Sequence, residues 1–158
     1  MNARYTPTIR GSPLYRGDFR CLHCRQLVSA DNFLSGVQHR NHCPYCLWSR
    51  HLDLQRPGDR LAACKAEMRP VGLTLKTAAK KYAAPYSGEL MLIHQCVECG
   101  KVSINRIAAD DITETLYEVY QSSRKMAPFI RRQLQARGIL ALRAADLNVV
   151  NVRLFGKN

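Results

Sequence analysis

The sequence of 158 residues predicts a small α+β fold, and three features of its pattern predict it. Six of the seven cysteines fall into three CxxC pairs. The last of these pairs lies between two strand-like segments, residues 89–95 and 101–107. From residue 112 onwards, apolar residues recur at the spacing of a helix. A domain of short strands around cysteine pairs, followed by helices, fits all three features.

The first two CxxC pairs have the spacing of a closed zinc site. They are Cys21/Cys24 and Cys43/Cys46, and 18 residues separate them. Two thiolates in one tight turn occupy two tetrahedral vertices, and a second pair completes the site. A redox CxxC lies at a strand end in a βαβ unit, and no such pattern surrounds either pair. The odd cysteine count, with no secretory signal in view, argues against a disulfide framework.

The third pair, Cys96/Cys99, predicts a second zinc site. Gly100 follows it and permits the turn after the second ligand. Strands on both sides make this segment a strand–knuckle–strand hairpin, the core of a zinc ribbon. Cys64 is the remaining cysteine and therefore the expected third ligand. Since one position of the tetrahedron is still open, we expect a histidine there, giving two Zn²⁺ per chain.

Three histidines compete for the fourth position of the second site. We prefer His51, because it lies in the chain between the first site and Cys64. His94 is the alternative ligand; it precedes Cys96 by two residues, as Phe19 precedes Cys21, and this parallel favours a packing role. His42 is adjacent to Cys43 and would crowd the first site. A hydrogen-bonded structural role is about as common as metal ligation for any one histidine.

The segment around the second CxxC pair resembles the RNHCP-domain family, named for a pentapeptide found here at residues 40–44. The similarity covers about residues 18–111. It is carried by Phe19–Cys24, Arg40–Leu47, Ser49, His51, Asp53, Pro57–Arg60, Cys64, Met68, Pro70, His94–Gly100 and Asn105–Asp111. The resemblance implies a small Cys/His-rich, zinc-binding domain whose molecular role is largely unassigned. One departure is Lys65-Ala66, where the family usually has glycine near the cysteine.

The chain divides into three predicted parts. Residues 1–17 form a basic extended arm, residues 18–111 the zinc-binding domain, and residues 112–158 a basic helical C-terminal extension. Within the domain, residues 70–88 suggest an irregular linker; if Thr77–Ala83 is helical, Lys76 and Lys80 share one face of it. The domain is therefore expected to be a zinc-ribbon-like unit stabilised mainly by metal.

The C-terminal extension carries recognisable helix signals. Asp111 and Glu114 form a candidate capping box for the first helix. Pro128 suits the first position of the next helix, and Gly138 suits its end. The alternating residues Val150–Leu154 suggest an edge strand.

The net charge of +12 predicts a polyanionic partner. Arginine supplies most of it, with 17 Arg against 7 Lys, and guanidinium groups bind phosphate and stack on unpaired bases. Both termini are more basic than the middle. We therefore predict RNA binding, with ribosomal RNA as the favoured partner and ribosomal proteins as secondary candidates. The predicted nucleic-acid contacts are Arg4, Arg10, Arg16, Arg40, Lys76, Lys80, Lys81, Arg131 and Arg132.

Other functional classes fit the sequence less well. The chain has no HxE with PCxxC of a zinc deaminase, no phosphate-cradling Gly-rich loop and no nucleophile elbow, so we expect no enzymatic activity and no small-molecule substrate. No apolar run approaches the roughly 20 residues of a membrane span. A cytoplasmic location follows as an expectation. The alternative functions are a protein-interaction adaptor and a DNA-binding regulator, although no helix-turn-helix or basic zipper is evident.

Overall fold

A computed structural model describes residues 17–76 and 86–156. Its strands are β1 (Phe19–Arg20), β2 (Leu27–Val28), β3 (Ser49–Arg50), β4 (Glu67–Lys76), β5 (Glu89–Cys96) and β6 (Val102–Arg106). Its helices are α1 (Asn32–Ser35), α2 (Thr113–Ser123), α3 (Pro128–Gln135) and α4 (Leu147–Phe155), with one 3₁₀ turn at Ala144–Asp146. This is the small α+β architecture that the sequence predicts.

The main sheet is antiparallel, in the order β3–β4–β5–β6, and β1 pairs with β2 in a separate small ribbon. The predicted strand–knuckle–strand hairpin is confirmed: β5 pairs with β6 so that Leu92 lies opposite Asn105. Strand β5 is buried along its whole length except at Glu89. That burial explains why its sequence is a nearly continuous apolar run instead of an alternating one.

Helices cover both faces of the sheet, so that two apolar clusters lie back to back. Neighbouring residues of β5 point to opposite faces, with Leu92 in one cluster and Ile93 in the other. The first cluster joins the sheet to α2 and α4 and contains Leu47, Leu73, Leu90, Leu92, Leu116, Tyr120, Leu142 and Val150. The second joins it to α3 and contains Ile93, Val102, Ile130 and Leu134.

The prediction of an irregular linker over residues 70–88 is wrong for residues 70–76, which belong to β4. Pro70 and Gly72 obscured this strand. The structure accommodates both at a register shift between them, after the end of the β3 pairing and before the bridge between Thr74 and Ala141. A Cβ on Gly72 would lie 3.2 Å from Ser123 and Met126, so its glycine allows the end of α2 to approach the strand.

Two expectations in the C-terminal part are also wrong. Asp111 does not cap α2; Ile112 holds that position without a side-chain hydrogen bond, since the Asp111 carboxylate has other partners. Residues 150–154 are helical instead of an edge strand, because Val150 and Leu154 share the face of α4 that packs on the sheet. Pro128 at the start of α3 is confirmed.

Several predictions fall on residues 1–16 and 77–85, which lie outside the described residues. They include the extended arm and the candidate helix over Thr77–Ala83. The nucleic-acid candidates among them are Arg4, Arg10, Arg16, Lys80 and Lys81. Among the described helices, none combines the length and apolar character that crossing a membrane requires.

Candidate metal centres

The first centre brings together the four cysteines of the first two CxxC pairs. Their sulfur atoms all lie within 4.8 Å of one another. The Sγ atoms of Cys21 and Cys46 are 3.6 Å apart, and those of Cys24 and Cys43 are 3.5 Å apart. Tetrahedral Zn²⁺ with Zn–S bonds of about 2.3 Å requires sulfurs about 3.8 Å apart. The donor set and its dimensions therefore fit a zinc ion.

Three knuckles of the same backbone geometry supply six of the cysteines. In each knuckle, the backbone carbonyl of the first cysteine accepts a hydrogen bond from the N–H of the residue four positions later. The bond from Leu47 to Cys43, at 2.8 Å, is one example. That fourth residue has a left-handed backbone in every knuckle: Arg25 at φ 66°, Leu47 at φ 61° and Gly100 at φ 72°. Only the last is the glycine that this conformation favours, so the glycine signal identifies one knuckle and misses two.

The second centre combines His51, Cys64, Cys96 and Cys99 within the same 4.8 Å limit. The Sγ atoms of Cys64 and Cys96 are 3.6 Å apart, and Cys99 Sγ is 3.3 Å from His51 Nδ1. The preferred histidine of the sequence prediction is thus the one that completes the cluster. His51 comes directly after β3. Because β3 pairs with the start of β4, His51 is brought close to the third knuckle.

His94, the alternative ligand, has a different role. Its ring is fully buried; Nε2 donates to the Leu47 carbonyl at 2.7 Å, and Nδ1 accepts from the Asn105 amide at 2.7 Å. Both ring nitrogens are therefore occupied. His94 ties β5 and β6 to a knuckle of the first centre, which agrees with the packing role that its position relative to Cys96 suggested.

The protonation behaviour of the first centre favours a bound cation. Burial raises the pKa of the Cys43 thiol to about 11, and it also raises the pKa of Cys46. At Cys24 burial acts in the same direction, but hydrogen bonds from the Gln26 backbone and the other thiols outweigh it and lower the pKa. The thiols of Cys43 and Cys46 thus resist ionisation without metal. Four thiolates together require the charge of a metal ion.

In the second centre, burial lowers the pKa of His51, and the nearby Lys101 charge lowers it further. A neutral imidazole is the form that ligates metal. With Nδ1 facing the thiols, Nε2 carries the hydrogen; this atom is buried and has no hydrogen-bond partner in the described part of the chain. Cys64 and Cys99 are exposed, in contrast to the buried Cys96.

The pentapeptide Arg40–Pro44 connects the first centre to the start of α2. The Arg40 guanidinium donates to Asp110 at 2.8 Å and to Asp111 at 3.4 Å, and His42 Nε2 lies 2.8 Å from the Asp111 carboxylate. The side chains of Arg40 and Asp111 are 1% and 0% exposed. We call Arg40, His42 and Asp111 the buried clamp. It fixes the loop that leads into Cys43.

Asn41 performs the corresponding task toward the second centre. Its amide nitrogen donates to Asp53 at 2.9 Å, and its amide oxygen accepts from Arg60. Asp53 follows His51 by two residues, so the loop after the histidine is held against the pentapeptide. The sequence did not reveal the roles of Asp53 and Asp111, because their partners lie 12 and about 70 positions away. Only their presence in the family-like stretch marked them.

The predicted nucleic-acid residues have mixed positions. The prediction that Arg40 contacts nucleic acid is wrong, because its guanidinium is buried and ion-paired within the fold and is not available to a ligand. Lys76 at the end of β4 and Arg132 on α3 are exposed, and Arg131 is partly exposed.

Comparison with known proteins adds one match. A family model described as the RNHCP domain matches residues 16–117, which is more than half of the chain. No curated protein and no solved structure matches the chain.

Proposed function

The chain belongs to the RNHCP-domain family, and from that premise we propose that it is a zinc-binding protein that binds RNA, with ribosomal RNA favoured. Two closed sets of four ligands support structural zinc, since thiolate-rich tetrahedral sites with no open position are typical of that metal. The same closed sets favour a binding role over catalysis. We place its action in the cytoplasm.

Metal analysis tests the zinc component. Native mass spectrometry of the purified protein should give two Zn²⁺ per chain, and Cys64→Ser should give one. A chelator should remove the ion of the second centre first, because Cys64 and Cys99 are exposed there. A wild-type content of one zinc, unchanged in Cys64→Ser, would remove the second centre from the proposal.

The observation that supports RNA binding is the placement of the charged residues: the aspartates contact the protein itself, and most of the basic residues are exposed. All seven aspartates accept hydrogen bonds from the protein itself. Asp59, for example, accepts from the backbone N–H groups of Leu54, Gln55 and Arg56 in one loop. Most arginines and lysines of the described chain are exposed, and they outnumber the exposed aspartates and glutamates. The surface of the described chain is therefore predominantly basic.

Zinc binding redistributes this charge without removing it. A four-thiolate zinc site carries −2 and a three-thiolate site with one histidine carries −1, which lowers the formal charge from +12 to +9. Those negative charges lie at the metal centres. The surplus cations of the C-terminal helices are unaffected, so a phosphate backbone has its strongest attraction there.

Salt dependence tests RNA binding directly. The zinc-loaded protein should bind a structured ribosomal RNA fragment with an affinity that falls steeply between 50 and 200 mM salt, since each phosphate contact releases counterions. Fluorescence anisotropy measures this. An absence of binding at low salt, or a flat affinity across that range, would contradict the proposal.

One observation favours the alternative of a protein-interaction adaptor. Helix α1 presents Phe33 and Leu34, which are 92% and 59% exposed, at the surface between the first two knuckles. Neighbouring exposed apolar residues mark protein contacts more often than nucleic-acid contacts. Affinity capture with and without RNase separates the two functions: partners that persist after RNase and depend on Phe33 support the adaptor, and partners lost with RNase support RNA binding.

A further inference from the structure

Two adjoining cavities form one groove where α2, α3 and the segment before α4 meet. The inner cavity has a volume of about 350 Å³ and the outer, more open one about 820 Å³. Arg131 and Arg143 line both of them, so the two cavities adjoin along these side chains. We call this feature the C-terminal groove. Its inner volume falls within the range of about 300–1,000 Å³ that is typical of ligand sites.

The outer half of the groove is cationic. Four of its lining residues carry positive charge, and none carries negative charge: they are Arg124, Lys125, Arg131 and Arg143, beside Gln121 and Ala144. Within residues 17–76 and 86–156, none of the four forms an ion pair. Arg131 is also oriented, because its guanidinium donates to the Ser123 carbonyl at the end of α2 at 2.9 Å. Unpaired guanidinium groups facing one depression are a phosphate-binding arrangement.

The inner half is an apolar slot. Its walls come from β4, α3 and the segment after α3, and consist mainly of Leu75, Leu134, Ile139, Leu140, Ala141 and Leu142. The one acid there, Asp146, is engaged by the backbone N–H of Arg143 at 2.6 Å. A slot of this kind accepts a flat, weakly polar group next to the cationic half.

Tyr86 stands at the slot with its side chain 52% exposed. Its φ of 61° is rare for a bulky residue and places the backbone in the left-handed region. The Arg153 guanidinium donates to the Tyr86 carbonyl at 3.0 Å and holds this segment on α4. Strained backbone that fixes an exposed aromatic ring is common at binding sites. Aromatic rings of this kind stack on nucleic-acid bases.

We propose that the C-terminal groove binds single-stranded RNA, with one base in the apolar slot beside Tyr86 and the flanking phosphates on the four cations. The inference rests on the proposed RNA-binding function and names its surface. The adjacency of an aromatic-edged slot and an unpaired cationic cluster favours a nucleotide strand over an acidic peptide, which has charge but no base to stack.

The first test compares the RNA affinity of a variant that lacks two positive charges in the groove with that of a variant that lacks two positive charges elsewhere. Arg124→Gln/Arg143→Gln alters only exposed side chains, and Arg25→Gln/Arg56→Gln is the matched control near the metal centres. The probe is a labelled single-stranded RNA of about 12 nucleotides. The groove variant should bind about tenfold more weakly, and its log–log salt slope should fall by about 1.4, whereas the control should change less than twofold.

The second test concerns the slot. Tyr86→Ala should weaken binding about tenfold or more through lost stacking, and Tyr86→Phe, which keeps the ring, should leave it unchanged. Zinc content and thermal melting should match the wild type in every variant, since all the altered side chains are exposed.

The outcomes separate the two proposals. If the wild type binds neither the structured ribosomal RNA fragment nor the single strand, the proposed function and the groove assignment both fail. If it binds the structured fragment but not the single strand, only the groove assignment is overturned. If it binds RNA but the two double variants lose affinity equally, RNA binding stands and the groove assignment is overturned. If a poly-glutamate peptide competes as well as RNA of equal charge and Tyr86→Ala has no effect, the groove is an acidic-peptide site and the inference is also overturned.

Discussion

The two metal centres share the same knuckle geometry and differ in what surrounds them. In the first, Cys21 and Cys43 are 4% and 0% exposed and pack with Val28 in a small apolar cluster. In the second, two of the three cysteines are exposed. Leu47, which ends a knuckle of the first centre, is also part of the main apolar core. The first centre is thus buried more completely in the fold, whereas the second, although it includes the buried His51 and Cys96, has two of its ligands at the surface.

The buried clamp is a second difference between the two centres, since it anchors only the first. It connects the loop before Cys43 to the segment before α2, and His94 connects Leu47 to β5 and β6. Each is a buried polar contact whose loss leaves a charge or dipole without a partner. The second centre is held by the partly exposed Asp53 and by Lys101, which donates to backbone carbonyls. Loss of metal should therefore have unequal consequences at the two centres.

The largest expected effect is that of a ligand substitution in the first centre. Cys43→Ser should lose that zinc and, with it, cooperative folding, because structural zinc contributes on the order of 10 kcal/mol and whole-domain stability is only about 5–15 kcal/mol. Cys99→Ser should retain one zinc and a cooperative melt at lower temperature. Zinc content and circular dichroism melting measure both. A cooperative melt in Cys43→Ser but not in Cys99→Ser would reverse the comparison.

The next effect concerns the buried clamp. Asp111→Ala removes the buried acceptor that Arg40 and His42 share and leaves the Arg40 guanidinium only its ion pair with Asp110. It should lower the free energy of unfolding by about 3–5 kcal/mol. Asp110→Ala is the matched control, since its side chain is 38% exposed and its ion pair should contribute about 1 kcal/mol or less. Urea denaturation of the zinc-loaded proteins gives both values. Equal losses would show that the clamp does not anchor the first centre.

The sequence predicted those parts of the site that depend on short spacing. The three CxxC pairs, the β5–β6 hairpin and the Pro128 helix start are local signals, and Cys64 followed by elimination. Long-range partners were beyond it. Asp111 looked like a helix cap because a capping aspartate and a clamp aspartate occupy the same place in the chain. Only the position of His42 in space distinguishes them.

The missed strand has a related cause. Pro70 and Gly72 are breakers by propensity, yet β4 tolerates them at a bulge because β5 satisfies the strand along its other edge. In the same way, Val150–Leu154 alternates in sequence but packs as a helix, since α2 and the sheet already provide an apolar surface for one helical face. Tertiary packing decided both cases.

The pH dependence of stability should reveal the contact between His94 and the first centre. Burial lowers the pKa of His94 to about 3 from an ordinary value of 6.5. Between these values the unfolded chain binds a proton that the folded chain does not, so stability falls as pH falls through this window, by about 1 kcal/mol per pH unit. At saturating zinc, His94→Gln should show a shallower loss between pH 6 and 5. Parallel curves for wild type and variant would contradict the assignment.

The smallest effect tests whether backbone strain, and not the exposure of its cysteines, makes the second centre release its metal first. Lys65 follows Cys64 with φ 53°, the conformation that Gly100 adopts after Cys99. Lys65→Gly should relieve about 1 kcal/mol of strain, partly offset by the greater freedom of glycine in the unfolded chain, and raise the melting temperature by about 1–2 °C. Arg25→Gly, at φ 66° in the first centre, is the matched control and should give a similar gain.

Since both centres contain such a residue, neither variant should change the order in which a chelator removes the two metals. If Lys65→Gly made the second centre as slow to release its metal as the first, local strain and not the exposure of Cys64 and Cys99 would explain the difference between them.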